Sequence, residues 1–182
     1  MTSALSRALV WLPTALVAFA AMDLWAAMLH GRVWHRILWT IHRSHHTPRR
    51  GRFEANDALS ILHAPIALGL ILYGCTSAPT LLREVAYGGG IGMTLFGISY
   101  VVVHDGLVHR RLPVSALLRV PYLRAVVRAH RVHHAGLVGG PPFGFFFGPW
   151  ELERARGIRR TRRATERGRG PTGQRSGARA RG

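Results

Sequence analysis

Histidine is the residue whose spacing in this chain most clearly indicates chemistry. Ten of its eleven histidines fall into four short clusters. An H-x-x-x-x-H pair followed by an H-x-x-H-H triplet occurs twice, and the members are His30, His35, His42, His45, His46, His104, His109, His130, His133 and His134. Imidazole is the commonest nitrogen ligand of first-row transition metals. Ten imidazoles exceed what one ion takes, so the pattern predicts two metal ions with open coordination positions.

Helical geometry gives each triplet an expected arrangement. Residues three and four apart share one face of an α-helix, so the three histidines of a triplet are expected to point at one locus. The members of each pair are five residues apart, which is a wider angle. For His30 and His35 two outcomes therefore stay open: the two ends of the pair serve different metals, or the helix bends.

Ligand type leaves the identity of the metal open. All-nitrogen sites suit iron, zinc, copper or nickel. Two redox-active irons would support activation of dioxygen and oxidation of an unactivated C–H bond, whereas zinc would not. The alternatives to an oxygenase are a His-rich metal carrier or store, and histidines that serve only for packing or solvation. The regular, paired spacing favours a built catalytic centre.

Three long apolar runs are available to position these histidines. Residues 8–29, 58–78 and 85–103 each match the roughly 20 helical residues needed to cross a bilayer. A cleavable signal peptide is the alternative for the first run, which instead continues directly into His30. Residues 112–127 and 141–150 are apolar enough to add a partial or full fourth span. The predicted fold is an all-α integral membrane protein with three to four transmembrane helices and a His-rich helical cap.

Charge predicts the orientation of the spans. All 25 basic residues are arginines. Six lie at 32–52 between the first and second runs, and six, including Arg111, lie at 110–131 after the third run, whereas the connection between the second and third runs carries only Arg83 beside Glu84. Basic residues near membrane ends mark the cytoplasmic side, so the histidine clusters are expected to face the cytoplasm. The N-terminus must then lie outside, although it carries Arg7.

The end of the chain differs in composition from the rest. Residues 154–182 contain eleven arginines and one acidic residue, with almost no large apolar side chains. We therefore expect a disordered tail following a membrane domain at 1–153. Without aromatic residues for base stacking, this tail is expected to contact membrane lipids or solvent and no nucleic acid. A single cysteine, Cys75, excludes an internal disulfide and a cysteine-based metal site.

A few other residues are candidates for supporting roles. Asp23 lies seven residues before His30 on its face, and Asp105 follows His104; each is expected to accept a hydrogen bond from a ligand histidine. Asn56 is a third candidate, although capping of the second span by Asn56 and Asp57 is the simpler interpretation. His63 is expected to be a structural histidine facing the bundle.

Glycine is also clustered. The run GGGIG at 88–92 lacks the context of a phosphate-binding loop, and we expect it to permit close helix packing in lipid.

Three sequence segments carry a resemblance to a known family. The segments are HRSHHTPRRGRFEANDAL at 42–59, VVHDGLVHRRLP at 102–113 and YLRAVVRAHRVHHA at 122–135. They resemble the bacterial beta-carotene hydroxylases, within the membrane fatty-acid-hydroxylase superfamily. The resemblance implies hydroxylation of beta-ionone rings at the 3-position, converting beta-carotene to zeaxanthin. It also implies a non-haem di-iron centre held by the ten clustered histidines, O2 as co-substrate, and electrons from ferredoxin or a similar donor with its reductase.

One stretch departs from that family. Its members usually carry an R-G-x-E-x-C-V-S run between the last triplet and F-G-F, whereas this chain reads AGLVGGPPFGFFFGPW. The changed stretch bears on the activity and on which ring is preferred, whereas all ten metal-ligand histidines are present. The resemblance also implies a location in the bacterial inner membrane. A related hydroxylase acting on a fatty acyl chain, a sterol or another carotenoid is the alternative function.

Overall fold

The computed structural model describes residues 3–48, 51, 53–76, 78, 80–135 and 140–168, and this part of the chain is helical without any β-strand. The all-α prediction is confirmed. The α-helices in chain order are α1 (Ala4–Leu29), α2 (Trp39–His42), α3 (Asp57–Ser60), α4 (Ala64–Cys75), α5 (Leu81–Tyr100), α6 (Pro121–His134) and α7 (Gly148–Gly168). Two π-helical segments, His30–Trp34 and Val101–Val108, extend α1 and α5, and short 3₁₀ helices cover Arg43–His46 and Ser115–Arg119.

Three helical stretches are long and apolar enough to cross a membrane: Ala4–Trp34, Asp57–Cys75 and Leu81–Val108. They correspond to the three predicted runs. Residues 112–127 form the second 3₁₀ helix and the start of α6, and residues 141–150 form a loop and the start of α7. Neither segment adds a fourth candidate span within the described residues.

The middle of the three-helix bundle is α5, which packs against both α1 and α4. The predicted role of the glycine run is confirmed at this contact. A side chain at Gly88 or Gly92 would meet the backbone of α1, and one at Gly90 would meet the backbone of α4. A side chain at Gly89 would meet nothing within 4 Å. Glycine therefore stands at the three positions where neighbouring backbones approach most closely.

A helical cap covers the end of the bundle where the π-helical segments lie. Pro121 begins α6, where a missing N–H costs no helical hydrogen bond. One face of α6 buries Val126 and Val127 against Val103 and Leu107 of the third span, and Phe145 completes this core. The same face carries His130 and His133. Burial of an apolar stripe thus turns the last histidine triplet toward the bundle.

The C-terminal segment differs from its prediction. Helix α7 runs from Gly148 to Gly168 and so continues past residue 153, where we expected order to end. Residues 154–168 are helical because Arg, Ala and Glu have high helix propensity and extend a helix that is already nucleated. The rest of the predicted tail, residues 169–182, lies outside the described residues.

Candidate metal centre

The two H-x-x-x-x-H pairs lie on the two π-helical segments. A π-turn bonds residue i+5 to residue i, and here the N–H of His35 donates to the carbonyl of His30, and that of His109 to the carbonyl of His104, each at 3.0 Å. The wider turn stacks residues five apart on one face. The Nε2 atoms of His30 and His35 are consequently 3.2 Å apart. Of the two outcomes left open for the first pair, the structure shows a local change in the helix, which widens and brings His30 and His35 into one group.

The histidines assemble into two groups whose ring nitrogens lie within 4.8 Å of one another. The first group consists of His30, His35, His42, His46 and His133. The second group consists of His45, His109, His130 and His134. His104 adjoins the second group, since its Nε2 is 3.0 Å from Nε2 of His45. All ten predicted histidines are thus brought together around two centres.

The triplets are divided between these centres. His42 and His46 belong to the first group and His45 to the second, whereas His130 and His134 belong to the second and His133 to the first. The expectation that each triplet points at a single locus is wrong. Residues four apart stay on one face, but the histidine between them is rotated toward the other side. His45 of the first triplet thus joins His130 and His134, and His133 of the second triplet joins His42 and His46. The two middle histidines therefore link the two triplets.

Ring orientation in the first group is set by oxygen acceptors on Nδ1. His30 Nδ1 donates to the carbonyl of Phe143 at 3.1 Å, and His133 Nδ1 donates to the carbonyl of Gly140 at 2.8 Å. His42 Nδ1 donates to Oδ1 of Asn56 at 2.7 Å. A proton held on Nδ1 leaves the Nε2 lone pair directed inward.

In the second group the acceptors are carboxylates. Asp105 Oδ1 lies 2.7 Å from Nδ1 of His104, and Glu54 Oε2 lies 3.4 Å from Nδ1 of His45. Arg111 joins these acids, with a nitrogen 2.8 Å from Glu54 Oε1 and another 2.8 Å from Asp57 Oδ1. Its guanidinium also lies 3.7 Å from Asp105 Oδ2. One arginine therefore holds the carboxylates that orient two histidines.

The inward nitrogens fit bound cations. His30 and His42 both donate from Nδ1, yet their Nε2 atoms are 3.0 Å apart. His45 and His104 repeat this arrangement, also at 3.0 Å. Two lone pairs facing each other at that distance repel unless a positive ion lies between or beside them. The donor set, imidazole without thiolate, suits iron, copper, nickel or zinc.

Burial keeps these imidazoles in the form that binds metal. Burial lowers the pKa of His42 and of His133 to about 4 each, and that of His46 to about 3. Burial also lowers the pKa of His45 and His130 well below the usual value, with neighbouring histidines adding to the effect. All five rings are therefore neutral at pH 7, and neutral imidazole is the ligand form.

The three predicted supporting residues have different outcomes. Asp105 contacts His104 as expected. Asn56 contacts His42 and makes no capping hydrogen bond with its side chain, so the capping interpretation was wrong for this residue. Asp57 likewise uses its carboxylate for Arg111 and for the N–H of Glu54. The site thus uses the polar residues that precede the second span.

Asp23 does not contact a histidine, contrary to its prediction. Its Oδ1 accepts hydrogen bonds from the backbone N–H of Phe145 and Phe146 at 3.1 Å, and its Oδ2 from that of Phe147 at 2.7 Å. The side chain is buried, with 1% exposed. The seven-residue spacing puts Asp23 on the same helix face as His30, but its carboxylate is taken by backbone N–H groups of a loop more than 100 residues away in sequence.

Sequence reasoning missed Glu54, Arg111 and the carbonyls of Gly140 and Phe143. A signal existed for Glu54, which is the one acidic residue between the first triplet and Asn56. Arg111 was counted only as a marker of membrane orientation. Carbonyl acceptors leave no trace in sequence, because every residue carries one. Part of the segment that departs from the family, residues 136–139, lies outside the described residues.

A cavity of about 650 Å³ opens between the three spans and ends at the histidines. Its walls are mostly apolar and include Met22, Leu59, Ile71 and Met93. Its lining also includes one histidine from each group, and these are His30 and His130. A cleft suited to a lipophilic molecule is therefore present, and it reaches both candidate metal sites.

The eleventh histidine has a structural contact. Nε2 of His63 accepts a hydrogen bond from Nε1 of Trp25 at 2.9 Å, which joins the first and second spans. His63 lines the cavity but belongs to neither group. Its predicted position, facing the bundle, is confirmed.

Comparison with known proteins gives a consistent result. A family model described as fatty acid hydroxylase matches residues 15–153. The beta-carotene hydroxylase of Pantoea ananas is 39% identical over 146 residues, which are 78% of this chain and 81% of that protein. Beta-carotene 3-hydroxylase 1 of Arabidopsis thaliana, a chloroplast protein, is 47% identical over 140 residues, or 77% of this chain and 45% of that protein. The chain thus spans less than half the length of this plant relative. No solved structure matches the chain.

Proposed function

This chain belongs to the fatty acid hydroxylase family, and we propose that it is a membrane non-haem di-iron oxygenase that hydroxylates beta-carotene. The expected reaction adds a hydroxyl group at the 3-position of each beta-ionone ring and gives zeaxanthin. The names of the plant and bacterial relatives support this substrate.

The observation that most strongly supports this proposal is that the apolar cavity ends at one histidine of each group. A beta-ionone ring has no polar group to hydrogen-bond, so an apolar wall is the surface that it needs. Phe143 and Phe145 line the same cavity beside His30 and His130. A ring entering from the bilayer would therefore stop against aromatic side chains with both candidate metal sites within reach.

The ten histidines are proposed to hold two irons, with no further catalytic side chain required. Bound irons would supply the activation of O2 that lets one oxygen atom enter a C–H bond. The chain's own contribution is orientation, through the Nδ1 acceptors, and exclusion of water by burial of both groups. Electrons would come from ferredoxin or a similar donor with its reductase.

The similarity to a bacterial relative supports the bacterial inner membrane as the location, and charge supports an orientation with the histidine groups and the C-terminus on the cytoplasmic side. The arginine-rich cap lies at the histidine end of the spans. At the opposite end, Arg7 pairs with the buried carboxylate of Glu84 at 2.7 Å. Arg83 there donates to the carbonyl of Tyr73 and to Oγ1 of Thr76. Pairing reduces the effect of both arginines as orientation signals, so the N-terminus is expected outside.

The direct test is expression in cells that accumulate beta-carotene, followed by chromatography and mass analysis of the pigments. Products heavier by one and by two oxygen atoms are expected, and they should disappear in H45A and in H133A. C75S is a suitable control, because Cys75 is exposed at the end of α4 distant from the histidines.

Other outcomes distinguish the alternatives. Unchanged beta-carotene beside an iron-loaded protein would contradict the carotenoid assignment and favour a fatty acyl or sterol substrate. Failure to consume O2 with any of these lipids and a reductant would indicate a metal-binding protein without oxygenase activity.

A further inference from the structure

Five consecutive backbone N–H groups, those of residues 143–147, are all bound by two carboxylates. Asp23 accepts from Phe145, Phe146 and Phe147. Glu151 Oε2 accepts from Phe143 at 3.0 Å and from Gly144 at 2.9 Å. We call residues 140–147 the strap. It lies between the N-terminal half of α7 and the first span, and a carboxylate on each side holds it.

The position of Asp23 indicates that this contact has a purpose. A carboxylate buried inside a membrane-spanning helix is costly, and such groups are usually retained for function. Hydrogen bonds from N–H groups to a charged oxygen are stronger than those to neutral acceptors. Asp23 uses both of its oxygens in this way and contacts no histidine in the described structure. Its effect on the site must therefore pass through the strap.

The strap carries two of the acceptors that orient the first histidine group. The carbonyl of Phe143 fixes Nδ1 of His30, and the carbonyl of Gly140 fixes Nδ1 of His133. The strap also carries aromatic walls of the cavity. The Phe143 ring lies 5.6 to 5.9 Å from the rings of His30, His35 and His133. Movement of the strap would thus disturb metal ligands and substrate cavity together.

We propose that Asp23 and Glu151 are positioning residues, which fix the strap and through it the first histidine group. The proposal rests on the proposed function in taking the two groups as iron sites. In the second group, Glu54 and Asp105 orient His45 and the adjoining His104 from elements other than the strap. Loss of either strap carboxylate should therefore weaken one iron site and spare the other.

The experiment compares D23N and E151Q with the wild-type protein, each purified in detergent and loaded with two irons. Iron remaining per chain is followed during incubation with a chelator. Removing a group that orients a metal-bound histidine typically costs about 10- to 100-fold in metal affinity. We expect one equivalent of iron to leave about 10- to 100-fold faster than in the wild type, and the other to keep its wild-type rate.

The fluorescence of two tryptophans identifies the site that is lost. Trp34 and Trp39 lie beside the first group, with ring centres 5.6 Å from His42 and 5.3 Å from His35. Bound iron is expected to quench both. The fast phase of iron release in D23N should therefore coincide with recovery of fluorescence, and the W34F/W39F double variant should lack that recovery.

The matched control is E84Q. Glu84 is another buried carboxylate in a spanning helix, with 1% exposed, but it pairs with Arg7 at the opposite end of the bundle. E84Q is expected to lower thermal stability without changing either rate of iron release. Should D23N fail to fold, E151Q serves in its place, because Glu151 is only half-buried and lies at the start of α7.

Three results would overturn the proposal: wild-type release rates in the folded variants, equal acceleration of both equivalents, or loss without fluorescence recovery. These outcomes are distinguishable from failure of the proposed function. A wild-type protein that holds two irons but leaves beta-carotene unchanged would refute the substrate, while the release rates would still test the strap.

Discussion

At the scale of single residues, the hydrogen-bond acceptors on the histidines decide the chemistry of this centre. A histidine alone can present either nitrogen, and a buried histidine alone is usually a packing residue. Here an oxygen on Nδ1 fixes the ring and turns Nε2 inward, at His30, His42, His45, His104 and His133. The acceptors thus convert a set of imidazoles into two directed ligand sets.

The first prediction concerns Asp105. The D105N variant removes the charge that faces Nδ1 of His104 at 2.7 Å, so His104 should lose its fixed ring orientation and part of its basicity. We expect the iron affinity of the second group to fall by about 10- to 100-fold while the first group is retained. Iron content after dialysis at graded chelator concentrations measures this.

D57N is the matched control for that prediction. Asp57 binds the same guanidinium, Arg111, at 2.8 Å and contacts no histidine in the described residues. D57N should leave the iron content closer to that of the wild type than D105N does. Equal losses in the two variants would mean that the arginine network matters and the direct contact with His104 does not.

At the scale of helices, hydropathy predicted the three spans because a bilayer imposes length and composition directly on sequence. The π-turns were not predictable in this way. A five-residue spacing is compatible with a kink, with two separate sites or with a π-turn, and only the packing of the cap chooses among them. The exchange of His45 and His133 between groups has the same origin, since it depends on the angle at which two helices meet.

The error for Asp23 has a related physical reason. Spacing along one helix shows which residues share a face, and it does not show what fills the space in front of that face. Here the filling element is the strap, more than 100 residues away in sequence. By contrast, the local contact of Asp105 with the adjacent His104 was predicted, because it needs no tertiary information.

The second prediction concerns the packing of α5 on α1. A methyl group at Gly92 would overlap the backbone carbonyl of Ala15, and backbone cannot move aside as a side chain can. We expect G92A to destabilise the protein by about 1 to 3 kcal/mol, the usual cost of overpacking. The midpoint of thermal unfolding in detergent measures the effect.

G89A is the control on the same helix, three residues away. A methyl group at Gly89 would meet nothing within 4 Å, so it adds helix propensity without a clash. We expect G89A to be neutral or slightly stabilising. A loss of stability in G89A similar to that in G92A would show that glycine is needed along α5 for a reason other than close packing.

At the scale of the whole molecule, three spans, a cap and a strap line a cavity that leads to the histidines. The spans supply the apolar walls of the cavity. The π-helical ends of the spans and the cap together supply the candidate ligands, and the strap closes the inner end with Phe143 and Phe145.

The third prediction tests that path at Gly97, which lines the cavity and would place a new side chain into open space. We expect G97F to fold and to retain both irons, because a Cβ at this position meets no atom within 4 Å. It should nevertheless lower hydroxylation of beta-carotene by at least about tenfold, since a phenyl group occupies volume that the substrate ring needs. Zeaxanthin formed per iron-loaded chain is the measurement.

G89F separates occupation of the cavity from a general effect of adding phenylalanine to α5. A Cβ at Gly89, like one at Gly97, meets nothing within 4 Å, but Gly89 does not line the cavity, so G89F should keep wild-type turnover. Normal turnover in G97F would mean that the substrate reaches the irons by another route. Equal loss of turnover in both variants would indicate a defect in the helix and not in the path. Only a selective loss in G97F, with iron content unchanged, assigns the cavity to the substrate.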